Sequence, residues 1–383
     1  MKTLYVHIGT MKTGTTAIQG FCWDNQEILQ KKGYCYPDFH DLADSVTRKR
    51  NGRFLVEDRG NREEEAAVFR TGMDRVIEFF KEYDNVILSN EGIWGATFSR
   101  RSGLWEELKT EAEKNGFQVK IIVYLRRQDD YISSVWNQMV KMGTKEGVRT
   151  WQEYLSRIPK GRQLDYAHKL DTIKEVLGRE NIIVRVYERN QFYNQNIYDD
   201  FLNVIGLQMT DEYTIKEELI NTKLSGSMHE IKRIINTMPM VDSEKNKLFR
   251  IILTECSNDP AVVQNYSMFS KEEAEKFLEE YEEGNRRVAA EYMGREDGVL
   301  FTQKVKDNPK WERDEIEMQD NTIRFIGAAY LSLLEENQQL RGELDKMKAR
   351  LDKMNGRLDR INSRLDKVRH PMRTLYQKGF NKE

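Results

Sequence analysis

The chain is poor in the residues that mark secreted, metal-bound or membrane-spanning proteins. Its three cysteines, Cys22, Cys35 and Cys256, are odd in number and far apart, which argues against a disulfide framework and for a reducing compartment. The five histidines, His7, His40, His168, His229 and His370, are scattered. No Cys or His cluster has ligand spacing, so no metal is expected. No apolar run reaches the ~18 residues of a membrane span. Met1-Lys2-Thr3 runs directly into an apolar strand with no stretch of signal-peptide length, and a cytoplasmic location is expected. A large charge of one sign is missing too. The net charge is −2, which gives no general attraction to nucleic acid.

What is present suits an α/β protein with one sizeable core. The chain has 383 residues, length enough for two or three domains, with 39% hydrophobic and 32% charged residues. Its most informative stretch is His7-Ile8-Gly9-Thr10-Met11-Lys12-Thr13-Gly14-Thr15-Thr16. This follows an apolar strand (Leu4 to Ile8) and opens a helix whose apolar positions Ile18, Phe21, Cys22 and Ile28 recur at helical spacing. Strand, glycine loop and helix together hold a phosphate: first-turn N–H groups and the positive end of the helix dipole point at the anion. Gly9 and Gly14 allow the tight turn and the close approach. A Walker A loop carries its lysine directly after the second glycine, where this chain has Thr15; its lysine, Lys12, lies inside the loop. That displacement weakens an ATP or GTP reading, which stays open as a P-loop kinase or NTPase acting on a small molecule.

A second segment has the same character. Lys120 to Leu125 is an apolar strand ending in Arg126-Arg127-Gln128-Asp129-Asp130, followed by a helix carrying Ser133, Ser134, Trp136, Asn137 and Gln138. A continuous apolar run fits a central parallel strand covered on both faces, and ligands of open α/β sheets sit at the carboxyl ends of such strands. A guanidinium fork there binds phosphate oxygens, and a serine adds a neutral donor. Arg126 lies eight residues before Ser134 and Arg127 seven, so either arginine could act.

Lys12-Thr13-Gly14-Thr15-Thr16 after a strand, with Arg126 and Ser134 eight apart, resembles the sulfotransferases that use 3′-phosphoadenosine 5′-phosphosulfate (PAPS), especially their bacterial carbohydrate-modifying branch. The resemblance runs less specifically through most of the first 305 residues, at Asn181–Glu188, Asp199–Leu202, Ile205–Leu207, Asn221–Ser225, Asn285–Tyr292 and Leu300-Phe301. It implies that Gly9, Thr10, Lys12, Thr13, Gly14, Thr15 and Thr16 cradle the phosphosulfate, that Arg126 and Ser134 hold the 3′-phosphate, and that the acceptor is a hydroxyl of a bacterial glycan or glycolipid precursor. Transfer needs positive charge on the leaving oxygen, which Lys12 can supply, and a base for the acceptor proton. Asn85 to Ser89 reads as a buried strand ending in Asn90-Glu91-Gly92. Glu91 is the candidate base, as in carbohydrate sulfotransferases with a glutamate base; capping or pairing with an arginine is its structural alternative. His7, inside the first strand, suits packing better than base catalysis. The chain lacks the glycine-rich Arg/Lys segment with which cytosolic sulfotransferases close over the cofactor, and their histidine base. That leaves Asn221–Ser225 as the guess for what closes the adenine side.

The remaining pattern sets the architecture. Strands near Leu4–Ile8, Tyr34–Tyr36, Val86–Ser89, Val119–Leu125 and Ile182–Tyr187 alternate with helices near Thr15–Lys32, Glu63–Glu82, Ser102–Asn115 and Leu164–Leu177. This predicts a P-loop-type parallel sheet flanked by helices, with Glu212–Tyr292 as a helical layer of the same unit. Two polar insertions, His40–Arg62 and Gly143–Arg162, are expected to frame the acceptor. Trp136, Trp151 and Tyr154 could serve as sugar-stacking surfaces, but core packing is the favoured reading for each. The expected units are a transferase domain (1–305), a linker and start of a helix (306–332), a coiled coil (333–369) and a basic tail (370–383). Leu340, Leu344, Met347, Leu351, Met354, Leu358, Ile361, Leu365 and Val368 step by four and three, and Asn337 extends the frame backwards. Such a seam predicts a homo-oligomer of open number. Arg341 to Glu383 holds 13 Lys/Arg against 6 Asp/Glu, a net of +7. Beyond Pro371, Met372, Leu375, Tyr376 and Phe380 alternate with Arg373, Lys378 and Lys382, a pattern open equally to weak docking on the inner membrane surface and to a frayed, solvated end. A non-catalytic scaffold carrying a degenerate transferase domain is the remaining alternative.

Overall fold

Five apolar segments pair side by side into a parallel sheet. The structure, a computed structural model, describes residues 1–369 except 43–47, 98, 100, 159–163, 217–223, 225 and 259–265, and leaves out the side chains of 255–258 and 369. The strands are β1 (Thr3–His7), β2 (Tyr34–Cys35), β3 (Asn85–Ser89), β4 (Gln118–Leu125) and β5 (Ile182–Val186). Their order across the sheet is β2-β3-β1-β4-β5, every neighbouring pair parallel. Helices α1 (Thr15–Asp24) and α2 (Gln26–Lys31) connect β1 to β2, and α3 (Arg62–Phe79) leads to β3. Then α4 (Gly92–Ala96) and α5 (Leu104–Asn115) lead to β4, and α6 (Gln128–Met142), α7 (Trp151–Arg157) and α8 (Tyr166–Leu177) to β5. After the sheet come α9 (Ile197–Val204), α10 (Gly226–Thr237), α11 (Asp242–Asn258), α12 (Lys271–Glu279), α13 (Glu282–Met293) and the long α14 (Glu315–Arg369).

Both faces of the sheet are covered, which is why its strands read as apolar runs rather than alternations. Along β4, Val119, Ile121, Val123 and Leu125 join the larger apolar cluster on one face, and Ile122 and Tyr124 join the cluster on the other. Ile121 to Leu125 are fully buried, each aliphatic side chain contributing about 1.5–3 kcal/mol relative to exposure. Val288, Ala289 and Tyr292 of α13 pack into the larger cluster, so the late helices complete the same core. On the other face Asp200, fully buried, ties α9 to the sheet. It takes a two-pronged contact from Arg185 of β5, the Tyr124 hydroxyl at 2.8 Å and the Tyr193 amide at 2.7 Å.

Several expectations change in detail. The helix expected over Thr15–Lys32 breaks at Asn25. Its amide nitrogen donates to the carbonyls of Phe21 and Thr214 (both 2.8 Å), while its oxygen accepts from the Thr214 amide at 2.7 Å. The His40–Arg62 insertion is not merely a polar frame, because Phe54, Leu55 and Val56 in it are buried in the core. Trp136 and Trp151 are buried and packed edge to face, their ring centroids 5.5 Å apart, and the Trp136 indole N–H donates to the Arg149 carbonyl. Tyr154 packs against the same cluster. Trp136 and Trp151 are core, and what they expose is too little for stacking on a sugar. The basic tail, Pro159 and all of Asn221–Ser225 but Leu224 lie outside the described residues.

Candidate active site

The sheet order fixes where a ligand can sit. β1 is central, flanked by β3 and β4, so its carboxyl end is the point where the chain's connections turn to opposite sides, the binding crevice of open α/β sheets. Three segments meet there: the loop 8–14 from β1, Asn90-Glu91 from β3 and Arg126 from β4.

The loop is held rigid from below and open above. Thr10 and Thr13 are fully buried. Their hydroxyls donate inward, to the carbonyls of Tyr124 (3.2 Å) and Thr10 (2.5 Å), so any ligand contact by these two residues falls to their backbone. Lys12 and Gly14 adopt left-handed backbone conformations, with φ of 62° and 73°. For a lysine this is strained, and such strain collects at functional sites. A side chain on Gly9 would come within 3.0 Å of Glu91 backbone, and one on Gly14 would strike Ile197 at 2.3 Å. Gly14 is the N-cap of α1 and no side chain caps the helix. The amides of Met11 to Thr16 therefore have no hydrogen-bond partner among the described residues, the arrangement that binds an anion. Thr15 is buried and Thr16 exposed.

Lys12, Arg126 and Ser134 come together along a cavity of about 360 Å³. Arg126 donates to the Lys12 carbonyl at 3.1 Å and to the Ser134 hydroxyl at 3.4 Å. Among the described residues the Lys12 ammonium reaches only the neutral Gln138 amide oxygen, at 3.4 Å. Burial first, and the Arg126 charge second, push its pKa below the usual lysine value. The acidic residues in the cavity wall are already matched: the neighbouring Arg127, buried, forks onto Asp129 at 2.7 and 2.9 Å and lies 3.7 Å from Asp130. It also donates to the Gln303 carbonyl at 2.6 Å. The adjacent arginines are thus split between a structural clip and a cavity-facing cation. Ser134, Asn137, Gln138 and Lys141 of the cavity wall lie on one face of α6, because residues three and four apart share a helix face.

Glu91 lies apart from these residues. It is not in the wall of that cavity. It pairs with Arg50 at 2.8 Å and accepts from Gln19 at 3.1 Å, and Gln19 also donates to Ser89 at 3.2 Å. The sequence offered no signal for Arg50 or Gln19, since each meets Glu91 only through the fold. His7 is fully buried, hydrogen-bonded to Ser89 at 2.9 Å, and burial takes its pKa down to about 3. It stays neutral and packs between strands.

Two further groups were not legible beforehand. A second cavity of about 450 Å³ shares Arg126 with the first and is walled by Tyr187, Phe192 and Tyr198; the Arg126 guanidinium stands 6.0 Å from the Tyr187 ring. In the wall of the first cavity, His229 of α10 is buried against Trp136, with ring centroids 4.5 Å apart. Burial takes its pKa to about 3, against a hydrogen bond to the Asn137 backbone that raises it. Among the described residues, its Nε2 and the Asn137 side-chain oxygen have no hydrogen-bond partner. Among the described residues no three His, Cys, Asp or Glu side chains converge as metal ligands, and no helix is long and apolar enough to cross a membrane.

No protein-family model matches the chain. An uncharacterised protein of Archaeoglobus fulgidus is 28% identical to it over 186 residues, so the chain spans about half (48%) of the length of the curated relative it matches, and the match covers 48% of this chain. The crystal structure of a sulfotransferase from Alicyclobacillus acidocaldarius aligns with 67% of this chain and 95% of its own, at 14% identity and a TM-score of 0.33.

Proposed function

We propose that the chain is a sulfotransferase that takes PAPS as donor and a hydroxyl of a glycan or glycolipid precursor as acceptor. One observation carries this reading. Lys12 and Arg126, neighbouring cations with only neutral hydrogen-bond partners among the described residues, stand beside a loop of free amides. A ligand with two separate anionic groups on a purine nucleoside fits that donor set. The amides of Met11 to Thr16 and Lys12 would hold the 5′ end, and Arg126 with Ser134 the 3′-phosphate. Tyr187, Phe192 and Tyr198 supply aromatic wall for the base. When bound, the donor brings an activated sulfuryl group on a phosphate leaving oxygen. Lys12 then neutralises the charge growing on that oxygen. Glu91, at the end of β3 beside the loop at Gly9, takes the proton of the incoming hydroxyl.

Calorimetric titration with adenosine 3′,5′-bisphosphate, ATP, ADP and AMP, with and without magnesium, tests the reading. Metal-independent binding that requires the 3′-phosphate is expected. Preference for magnesium-ATP would make the protein a kinase or NTPase instead, and no binding of any nucleotide would leave a scaffold.

Glu91→Gln keeps the size of the side chain and removes its basicity. Turnover should fall by about 10²–10⁴-fold, the usual worth of general base catalysis, with affinity for adenosine 3′,5′-bisphosphate unchanged. Loss of both in the same assay would instead make Glu91, with Arg50 and Gln19, a buttress for the loop at Gly9.

A further inference from the structure

The helix α14 has two apolar faces, and only one of them is used. Met318 and Asn321 are buried, and Met318 and Phe325 pack with Met228, Ile231 and Ile252 of α10 and α11. Ser227 of α10 donates to Glu317 at 2.6 Å and accepts from Asn321 at 2.8 Å. The helix is thus fixed to the body from its first turns.

Among the described residues, nothing covers the opposite face. The heptad frame seen from Leu340 to Val368 continues backwards without a break through Asn337, Leu333, Tyr330, Ile326, Ile323 and Ile316, with Gln319 the other polar member. The apolar side chains of this frame are between 48% and 74% exposed. From Ile316 to Val368 the stripe is about 80 Å long at 1.5 Å per residue, far beyond a scattering of single surface residues.

We infer that this face is the seam of a parallel, in-register, two-stranded coiled coil with a second copy of this chain, beginning at Ile316 against the body rather than at Leu333. Asn337 falls at an a position, where an amide facing its own copy fixes register and orientation. An antiparallel partner would set it against an apolar residue. In register, Glu336 of one copy faces Arg341 of the second copy, and Glu343 faces Lys348, attractive pairs across the flanks of the seam. The stripe is one seam wide from 336 on; before that, exposed Leu331 and Leu334 lie beside the frame. Its flanks from 336 on carry Arg341, Lys348, Arg350, Arg357 and Arg364, and near the body the far side of the helix is covered by α10 and α11. A third strand would bury those charges. The two bodies then lie on the outer sides of the coiled coil, each attached through the α10 that lines its own cavity.

Sedimentation equilibrium on the full chain at about 10 μM should give twice the chain mass of 45.3 kDa. Two single variants, Leu340→Cys and Ile326→Cys, should each form an interchain disulfide on mild oxidation, read on a non-reducing gel against the parent chain as control. Both side chains face their own copy only in a parallel pair. A monomer, or a trimer or larger species, overturns the proposal. So does a dimer that neither variant cross-links, which would be antiparallel. Cross-linking through Leu340→Cys alone would confine the seam to the tail and overturn its start at the body. Far-UV circular dichroism of each variant matching the parent excludes misfolding as the cause.

Discussion

Replacing Lys12 by alanine should lower turnover about a thousandfold, the scale of losing one pre-positioned donor to developing negative charge. Affinity for adenosine 3′,5′-bisphosphate should change by only a few-fold, because the free amides of the loop remain. The ammonium is held in a strained left-handed residue between the loop and α6, with a neutral amide oxygen as its hydrogen-bond partner. Among the described residues no carboxylate pairs with it, so the charge is available to a departing oxygen. Since burial and Arg126 lower its pKa, the working cation is lost on the alkaline side sooner than for an ordinary lysine. The pH–rate profile should therefore begin to fall below the usual lysine range, and this limb should be absent in Lys12→Arg. Turnover of Lys12→Ala within tenfold of the parent would remove the residue from the chemistry.

Arg126→Ala should act on binding instead. A hydrogen bond to a charged group contributes about 1.5–3 kcal/mol, so the dissociation constant for adenosine 3′,5′-bisphosphate should rise roughly 10- to 150-fold. AMP, which has no 3′-phosphate, should bind the variant about as well as the parent. That comparison is needed because Arg126 also donates to the Lys12 carbonyl; an equal loss for AMP would mean that its task is to brace the loop. The neighbouring Arg127 makes a contrasting case, since its fork onto Asp129 and its bond to the Gln303 carbonyl are structural.

The elements of the sheet were legible from the sequence because both faces are buried. Ile121 to Leu125 must be apolar on every residue, and such runs stand out. The order β2-β3-β1-β4-β5 was not legible, because no single strand's composition states which neighbours it takes. The loop at Gly9–Gly14 and the Arg126–Ser134 pair could be found because each is local: a glycine turn, and two residues joined by one strand end and one helix. The partners of Glu91 could not. Arg50 and Gln19 are 41 and 72 residues away in the chain and meet it only when β3, α1 and the buried insertion assemble. The same insertion looked like a surface loop because its charged ends hid Phe54, Leu55 and Val56. The aromatic residues after β4 follow the reading favoured for them. Trp136 and Trp151 are buried and use their area against each other.

The walls of the first cavity owe their spacing to α6, and that has a metric consequence. Ser134, Gln138 and Lys141 are graduations on a straight rod, about 10 Å from first to last. Their separations are set by the pitch of a helix, not by a loop that can adjust. One residue added between Ser134 and Gln138 would turn everything beyond it by about 100°, carrying Gln138 away from Lys12. The spacing of these three positions is therefore built into the backbone of α6 and does not depend on any loop.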